Sequence, residues 1–271
     1  MDWAERLLER SFYVRNFLSG IMFGAELLMF FLSVYYLSIG GHSRRSKIFY
    51  TVFSTVLTNL MFTTLAANAL FGQYMWIERR DTLGGPPAFL AENSSWWVNV
   101  WGSAADITAN VMGDALLPYR CYTILGSNFL LILFPGLIFL ASVSLSVVTV
   151  IQSTLPRASI FQGSSVNFRI SWISLTVSFN IIMTTMICGQ FFFAHRQMRG
   201  VVPQAISKRY TDTTGIVLES ALPFSVLGLV FVVLYARQSP VAYTFSGIWE
   251  LWWYVSKDVV DNLVLTPLRF I

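Results

Sequence analysis

Residues 96–122 read WWVNVWGSAADITANVMGDALLPYRCY. The segment is long enough to cross a bilayer as one helix, yet it carries Asp106, Asn110 and Asp114 in its body and Arg120 at its end. At about 100° per residue, Asn99, Ser103, Asp106, Asn110 and Gly113 share a narrow sector, with Asp114 and Arg120 on its flanks. One side of this helix must avoid lipid. A carboxylate at mid-membrane costs from about 3 kcal/mol upward, so acids within a span face a bundle interior or a wet cavity. The stretch therefore predicts an all-α membrane protein built around this helix.

The rest of the chain agrees. Of 271 residues, 55% are hydrophobic and only 12% charged, with a mean hydropathy of +0.60. A soluble domain carries about 25% charged residues. Apolar runs of roughly 20 residues recur, the length that crosses about 30 Å of hydrocarbon as helix. They predict seven spans, at about 17–37, 48–70, 97–122, 129–151, 169–193, 213–235 and 245–267. The fourth is nearly free of charge and reads as lipid-facing packing. The seventh contains Glu250, Lys257, Asp258 and Asp261 and needs its neighbours to stay in the membrane. Residues 1–16 mix Trp3, Leu7, Leu8, Phe12 and Val14 with Arg6, Arg10 and Arg15, the pattern of an interfacial amphipathic helix. With no internal repeat and no Pro- or Ser-rich linker, residues 1–271 form one seven-helix domain.

Orientation rests on tryptophan. With the N-terminus outside and the C-terminus inside, Trp3, Trp76, Trp96, Trp97, Trp101, Trp172, Trp249, Trp252 and Trp253 all fall in the outer half, a one-sided aromatic belt. The glycosylation sequon Asn93-Ser94-Ser95 then also lies outside, which suits the plasma membrane or another membrane of the secretory pathway. Pro118 sits in the last turns of the third span and denies the Asp114 carbonyl its helical donor; Pro223 does the same within the sixth.

Several function classes are excluded by what the chain contains. The net charge of +4 is spread over loops rather than gathered in a basic stripe, so nucleic acid is not a partner. Cys121 and Cys188 make no disulfide framework. His42 and His195 both fall in predicted inner loops, whereas a membrane metal hydrolase needs histidines inside its spans. No nucleophile and base pairing or phosphate loop stands out, so no enzyme, metal or cofactor is expected. Lys257 raises the idea of a retinal Schiff base, but a salt bridge to Asp261 or Glu250 accounts for it more simply.

Three segments resemble a known group of proteins: Asp114-Ala-Leu-Leu-Pro-Tyr-Arg-Cys-Tyr122, Ser174-Leu-Thr-Val-Ser-Phe-Asn180 with Ile-Ile-Met-Thr-Thr-Met-Ile-Cys188, and Glu219-Ser-Ala-Leu-Pro-Phe-Ser225. In order and spacing they are similar to the expanded, largely uncharacterised seven-transmembrane proteins of basidiomycete fungi. The resemblance implies seven helices and a fungal membrane address; it carries no ligand or catalytic residue. A looser likeness is to G protein-coupled receptors, where Tyr119-Arg120-Cys121 stands in place of an Asp/Glu-Arg-Tyr motif. No acid directly precedes Arg120, and no outer cysteine is available to tie the third span to an outer loop.

Seven acids fall within the predicted spans against Lys257, with Arg120 at a span end. Either they form helix-to-helix hydrogen bonds or they border a cavity for a ligand or ion. Glu26, Asp106, Glu250 and Lys257 belong to the outer and middle membrane and, with Asn59, Asn110 and Asn180, make the ligand-cavity candidates. Asp114, Arg120, Glu219, Asp258 and Asp261 make an inner set with the character of a switch, in which Arg120 and Glu219 latch the third span to the sixth. The expected partners are the lipid bilayer, an unidentified small molecule or cation, and a cytoplasmic signalling protein. The leading expectation is a receptor-like small-molecule sensor. A proton or small-cation transporter or channel using the acidic interior is the alternative, and a membrane scaffold is the third.

Overall fold

A computed structural model describes residues 3–39, 44–80, 85–124, 129–154, 164–198 and 222–259. Regular structure among these residues is helical throughout: α1 (Trp3–Ile39), α2 (Arg44–Gln73), a π-helical turn (Tyr74–Glu78), α3 (Gly85–Glu92), α4 (Trp97–Ile124), α5 (Phe129–Ser153), α6 (Ser164–Met198), α7 (Leu222–Ala236) and α8 (Ala242–Val259). Four of these helices are long and apolar enough to cross a membrane, over Arg6–Ile39, Lys47–Glu78, Leu133–Gln152 and Phe168–Gln190. They are the first, second, fourth and fifth of the expected spans.

The expected break between an interfacial segment and the first span does not occur. No proline or glycine precedes Gly20, so nothing interrupts the helix, and α1 runs unbroken for 37 residues. At 1.5 Å per residue it is about 55 Å long, well beyond the thickness of the hydrocarbon. Its first turns are held by protein rather than lying free on a surface. The Thr244 hydroxyl of α8 donates to the Ser11 carbonyl at 3.3 Å, and a Cβ at Gly247 would come within 2.7 Å of Arg15 Cγ.

The polarity of the bundle is inverted relative to a water-soluble protein. Phe17, Ile21, Leu28 and Phe31 of α1, Phe134, Leu137 and Leu140 of α5, and Leu222, Val226, Leu229 and Val233 of α7 are exposed. Glu26, Asp106, Asn110, Asp114 and Asn180 are buried. Apolar surface of this extent is a liability in water. Against lipid it costs nothing, and helices meet the demand that every backbone polar group be satisfied internally. The fold is that of a helical bundle for a membrane.

Within it α1 packs on α8 and α2, α2 on α4, and α5 on α6, while α4 also touches α5 and α6. Three apolar layers hold the helices. At the end carrying the start of α1, Phe12, Phe71, Met75, Leu90 and Tyr243 form a cap, with Trp76 edge-on to Phe12. The central layer joins Leu57, Met61, Ile107, Ala109, Trp172, Ile173, Val177, Phe224, Phe231 and Trp249 from five helices. Farther along, Leu117 and Cys121 of α4 pack with Phe179, Met183 and Ile187 of α6.

Two glycines let helices approach closely. A Cβ at Gly102 of α4 would lie 2.7 Å from Ala67 Cβ of α2, and the Thr64 hydroxyl bridges the same contact by donating to the Gly102 carbonyl at 3.3 Å. Gly228 of α7 lies where a Cβ would meet both Val177 and Trp249.

The aromatic belt is smaller than the sequence suggests. Trp3, Trp97 and Trp101 are exposed, but Trp172 and Trp249 are only 4% and 1% exposed and belong to the central layer. An indole fills core volume as readily as it sits at an interface, so these two carry no information about orientation.

Candidate functional site

The polar face of α4 is the centre of the site. Asp106, Asn110, Gly113 and Asp114 are all buried, on a helix that packs against α2, α5 and α6. Asn110 Nδ2 donates to the Asp106 carbonyl at 3.0 Å and lies 3.4 Å from Asp106 Oδ1. One turn farther, Asn180 Nδ2 of α6 donates to Asp114 Oδ1 at 3.1 Å and to the Thr176 carbonyl at 2.9 Å. The Thr176 hydroxyl in turn shares a hydrogen bond of 3.0 Å with Ser142 of α5. A polar seam thus begins on α4, crosses to α6 and ends on α5.

Chemically the seam is rich in oxygen acceptors. The Asn180 to Asp114 bond has an acidic acceptor, which makes it stronger than a bond between neutral groups if the carboxyl is ionised. α4 continues through Pro118, which offers the Asp114 carbonyl no amide hydrogen. The buried Asn110 Oδ1 has no hydrogen-bond partner among the described residues.

Asn180, a ligand-cavity candidate, and Asp114, a switch candidate, are bonded to each other, so the two groups of candidates meet at this contact. Position along a single helix cannot show which residues of two parallel helices meet.

Asn59 is not part of the interior. It is exposed on α2, and its Nδ2 donates to the Thr55 carbonyl at 2.8 Å. Thr55 and Thr63 likewise bond the carbonyls four residues back, at 2.7 and 2.8 Å. In the four-residue repeat Thr51, Thr55, Asn59 and Thr63, the last three side chains thus bond their own helix backbone, as short polar side chains on helices often do. Glu26 is buried on α1 at 2% exposure, on a helix that packs against α8 and α2. Met22 and Phe23, one turn earlier, rest on the central layer.

The sequon lies in the turn between α3 and α4. Asn93 is half-buried, and its Nδ2 donates to the Phe89 carbonyl at 3.1 Å. Its backbone carbonyl accepts from the Trp96 amide at 3.0 Å. That arrangement engages one of the two hydrogens of the nitrogen a glycan would need.

Glu219 and Asp261 lie outside the described residues, as do the side chains of Arg120, Glu250, Lys257 and Asp258. The Arg120 to Glu219 latch and the reading of Lys257 fall there with them.

Thr176, Ser142 and Ser146 are buried members of the interior that reading the sequence missed. Thr176 was legible as the residue four before Asn180. On α5, Ser142, Ser146 and Thr149 are buried on one side while Leu140 and Leu137 face outward. The fourth span is therefore not uniformly lipid-facing; its serines repeat at helical spacing but carry no charge to draw notice.

No protein-family model, curated protein or solved structure matches the chain.

Proposed function

We propose that the chain is a seven-span membrane protein, with its N-terminus outside, that senses a small polar or cationic molecule through the seam on α4. Four apolar helices support membrane insertion. α4, α7 and α8 supply the remaining spans, with α4 and α8 sheltered by their neighbours because of their charges. Labelling of Ser43→Cys and Gln197→Cys in intact cells tests the topology: both stay unlabelled from outside, and outside labelling of either reverses the orientation.

The observation that carries the sensing reading is the hydrogen bond from Asn180 to Asp114. It ties α4 to α6 beside the apolar layer of Leu117, Cys121, Phe179 and Met183. A ligand that competes for Asp114 loosens this tie and moves the helices beyond it. An equilibrium shifts only by the difference in binding energy between the two states, and the seam is where such a difference arises.

Cys121, 0% exposed on α4, is a native reporter of that movement. In a Cys188→Ser background, Asn180→Leu, which removes the donor, raises the maleimide labelling rate of Cys121 while the helical content holds and stability falls by no more than the roughly 1 kcal/mol of one interhelical hydrogen bond. If labelling rises only as far as global unfolding accounts for, the bond is static packing and the sensing reading fails.

A second reading is a proton or small-cation transporter. The buried acids Asp106 and Asp114, two turns apart on one helix, are the observation in its favour.

A further inference from the structure

We propose that the corner where α1 ends and α2 begins is a docking site for one anionic phospholipid, its phosphate held by Arg44, Arg45 and Lys47 and an acyl chain laid along the outward ridge of α2 below them. The site is separate from the seam on α4 and does not depend on the sensing reading.

The argument starts with charge. Between Glu26 and Glu78 the chain has no acidic residue, and its only Arg or Lys residues there are Arg44, Arg45 and Lys47. All three fall in the first turn of α2, and Arg44 and Arg45 are exposed. The neighbouring helices bring no acid to this end. On α1 the last acid is Glu26, 13 residues before Ile39 and so about 20 Å away along the helix. On α4, which also packs against α2, no acid follows Asp114.

Lys47 is held in place. Its Nζ donates to the Ser38 carbonyl in the last turn of α1 at 3.0 Å, which leaves the ammonium two further N–H donors. The charge is thereby fixed across the corner between the two helices rather than swinging on a free side chain. Three cations within four positions repel one another, and a phosphate bound among them offsets that cost through charge-assisted hydrogen bonds.

What lies below the charges selects a lipid over a soluble phosphate. Ile48, Val52 and Val56 follow Arg44 at four-residue spacing and form one ridge of α2. They are 54%, 55% and 41% exposed. From Arg44 to Val56 the ridge rises about 18 Å at 1.5 Å per residue, close to half the roughly 30 Å thickness of the hydrocarbon. An acyl chain hanging from a headgroup at Arg44 runs along it to the bilayer midplane, whereas inorganic phosphate leaves it uncovered. With the N-terminus outside, as proposed above, this corner meets the cytoplasmic leaflet, where anionic lipids concentrate.

The test is fluorescence anisotropy of dye-tagged phosphatidylserine with the purified full chain in a mild neutral detergent, competed in turn by unlabelled phosphatidylserine, phosphatidylcholine and inorganic phosphate. The expected result is saturable binding, weakened by salt and displaced by phosphatidylserine but not by the other two. Arg44→Gln with Arg45→Gln lowers the affinity about 25-fold, at about fivefold for each basic residue lost. Lys47→Gln keeps a donor for the Ser38 carbonyl and lowers it about fivefold. Arg80→Gln with Arg237→Gln leaves it unchanged, since both bases are exposed at the opposite end of the bundle, Arg80 beyond the far end of α2 and Arg237 in the turn before α8, whose Thr244 bonds the start of α1. Absence of saturable binding to the folded wild-type chain overturns the site. Equal displacement by phosphatidylcholine removes the role of charge, and displacement by inorganic phosphate at matched concentration makes the corner a soluble-anion site instead. Wild-type affinity in the Arg44 and Arg45 variant, or an equal loss in the Arg80 and Arg237 variant, contradicts the placement.

Discussion

Asn180 Nδ2 lies 3.1 Å from Asp114 Oδ1, joining α6 to α4 across 66 positions of sequence. Both residues are buried, and the amide also bonds the Thr176 carbonyl of its own helix. A side-chain hydrogen bond between membrane helices contributes about 0.6 kcal/mol on average and up to about 1.7 kcal/mol. That is enough to bias two packings of α4 and α6 without locking either.

A double-mutant cycle measures this bond directly. Asp114→Leu and Asn180→Leu, combined and apart, are expected to couple by about 1 kcal/mol in unfolding experiments in mild detergent. Strictly additive effects would show that the two side chains do not stabilise each other.

The close approach of α2 and α4 gives a second expectation. Gly102→Ala places a methyl 2.7 Å from the Ala67 methyl, which cannot swing aside. The substitution should destabilise the bundle by about 1–3 kcal/mol, the usual cost of overpacking. Ala67→Gly in the same chain should recover much of the loss. No rescue would mean that the helices separate elsewhere than at this contact.

The turn from α7 to α8 contains Gln238 at a φ of 53°. Its amide donates to the Tyr235 carbonyl at 3.0 Å and the next amide, that of Ser239, to the Leu234 carbonyl at 3.1 Å, the pattern that ends helices and favours glycine in the left-handed position. Gln238→Gly is expected to raise stability by about 1 kcal/mol. A fall in melting temperature would contradict that account of the turn.

Asn93 should remain unglycosylated, because it is half-buried in the turn at the start of α4, with its side-chain nitrogen bonded to the Phe89 carbonyl. Expressed in a eukaryotic cell, the wild-type chain and Asn93→Gln should migrate together before and after endoglycosidase. An endoglycosidase-sensitive band in the wild type alone would show that the turn opens during synthesis.

Much of this was legible in the sequence because lipid imposes simple rules. Asp106, Asn110 and Asp114 within an apolar stretch already required a sheltered face on α4, and that face is buried. The partner of Asp114 was not legible. Asn180 was visible as a polar residue, but its meeting with Asp114 depends on how α4 and α6 are aligned along the membrane. Asn59 misled for the opposite reason: a four-residue repeat of polar side chains looks the same whether it bonds a neighbour or its own backbone. Trp172 and Trp249 were read as interfacial from their depth alone, which ignores the volume an indole fills in a core. The continuity of α1 was obscured by charge at its start, although no residue there breaks a helix.

The central claim is that buried acids on α4 serve a response rather than a current. Reconstitution of the wild-type protein into sealed vesicles with an internal pH dye, under imposed pH gradients and potentials and in sodium or potassium salts, tests it most directly. The account predicts no flux above that of protein-free vesicles for protons, sodium or potassium. A robust wild-type flux, abolished by Asp106→Asn or Asp114→Asn, would contradict it and identify the seam as a conduction path.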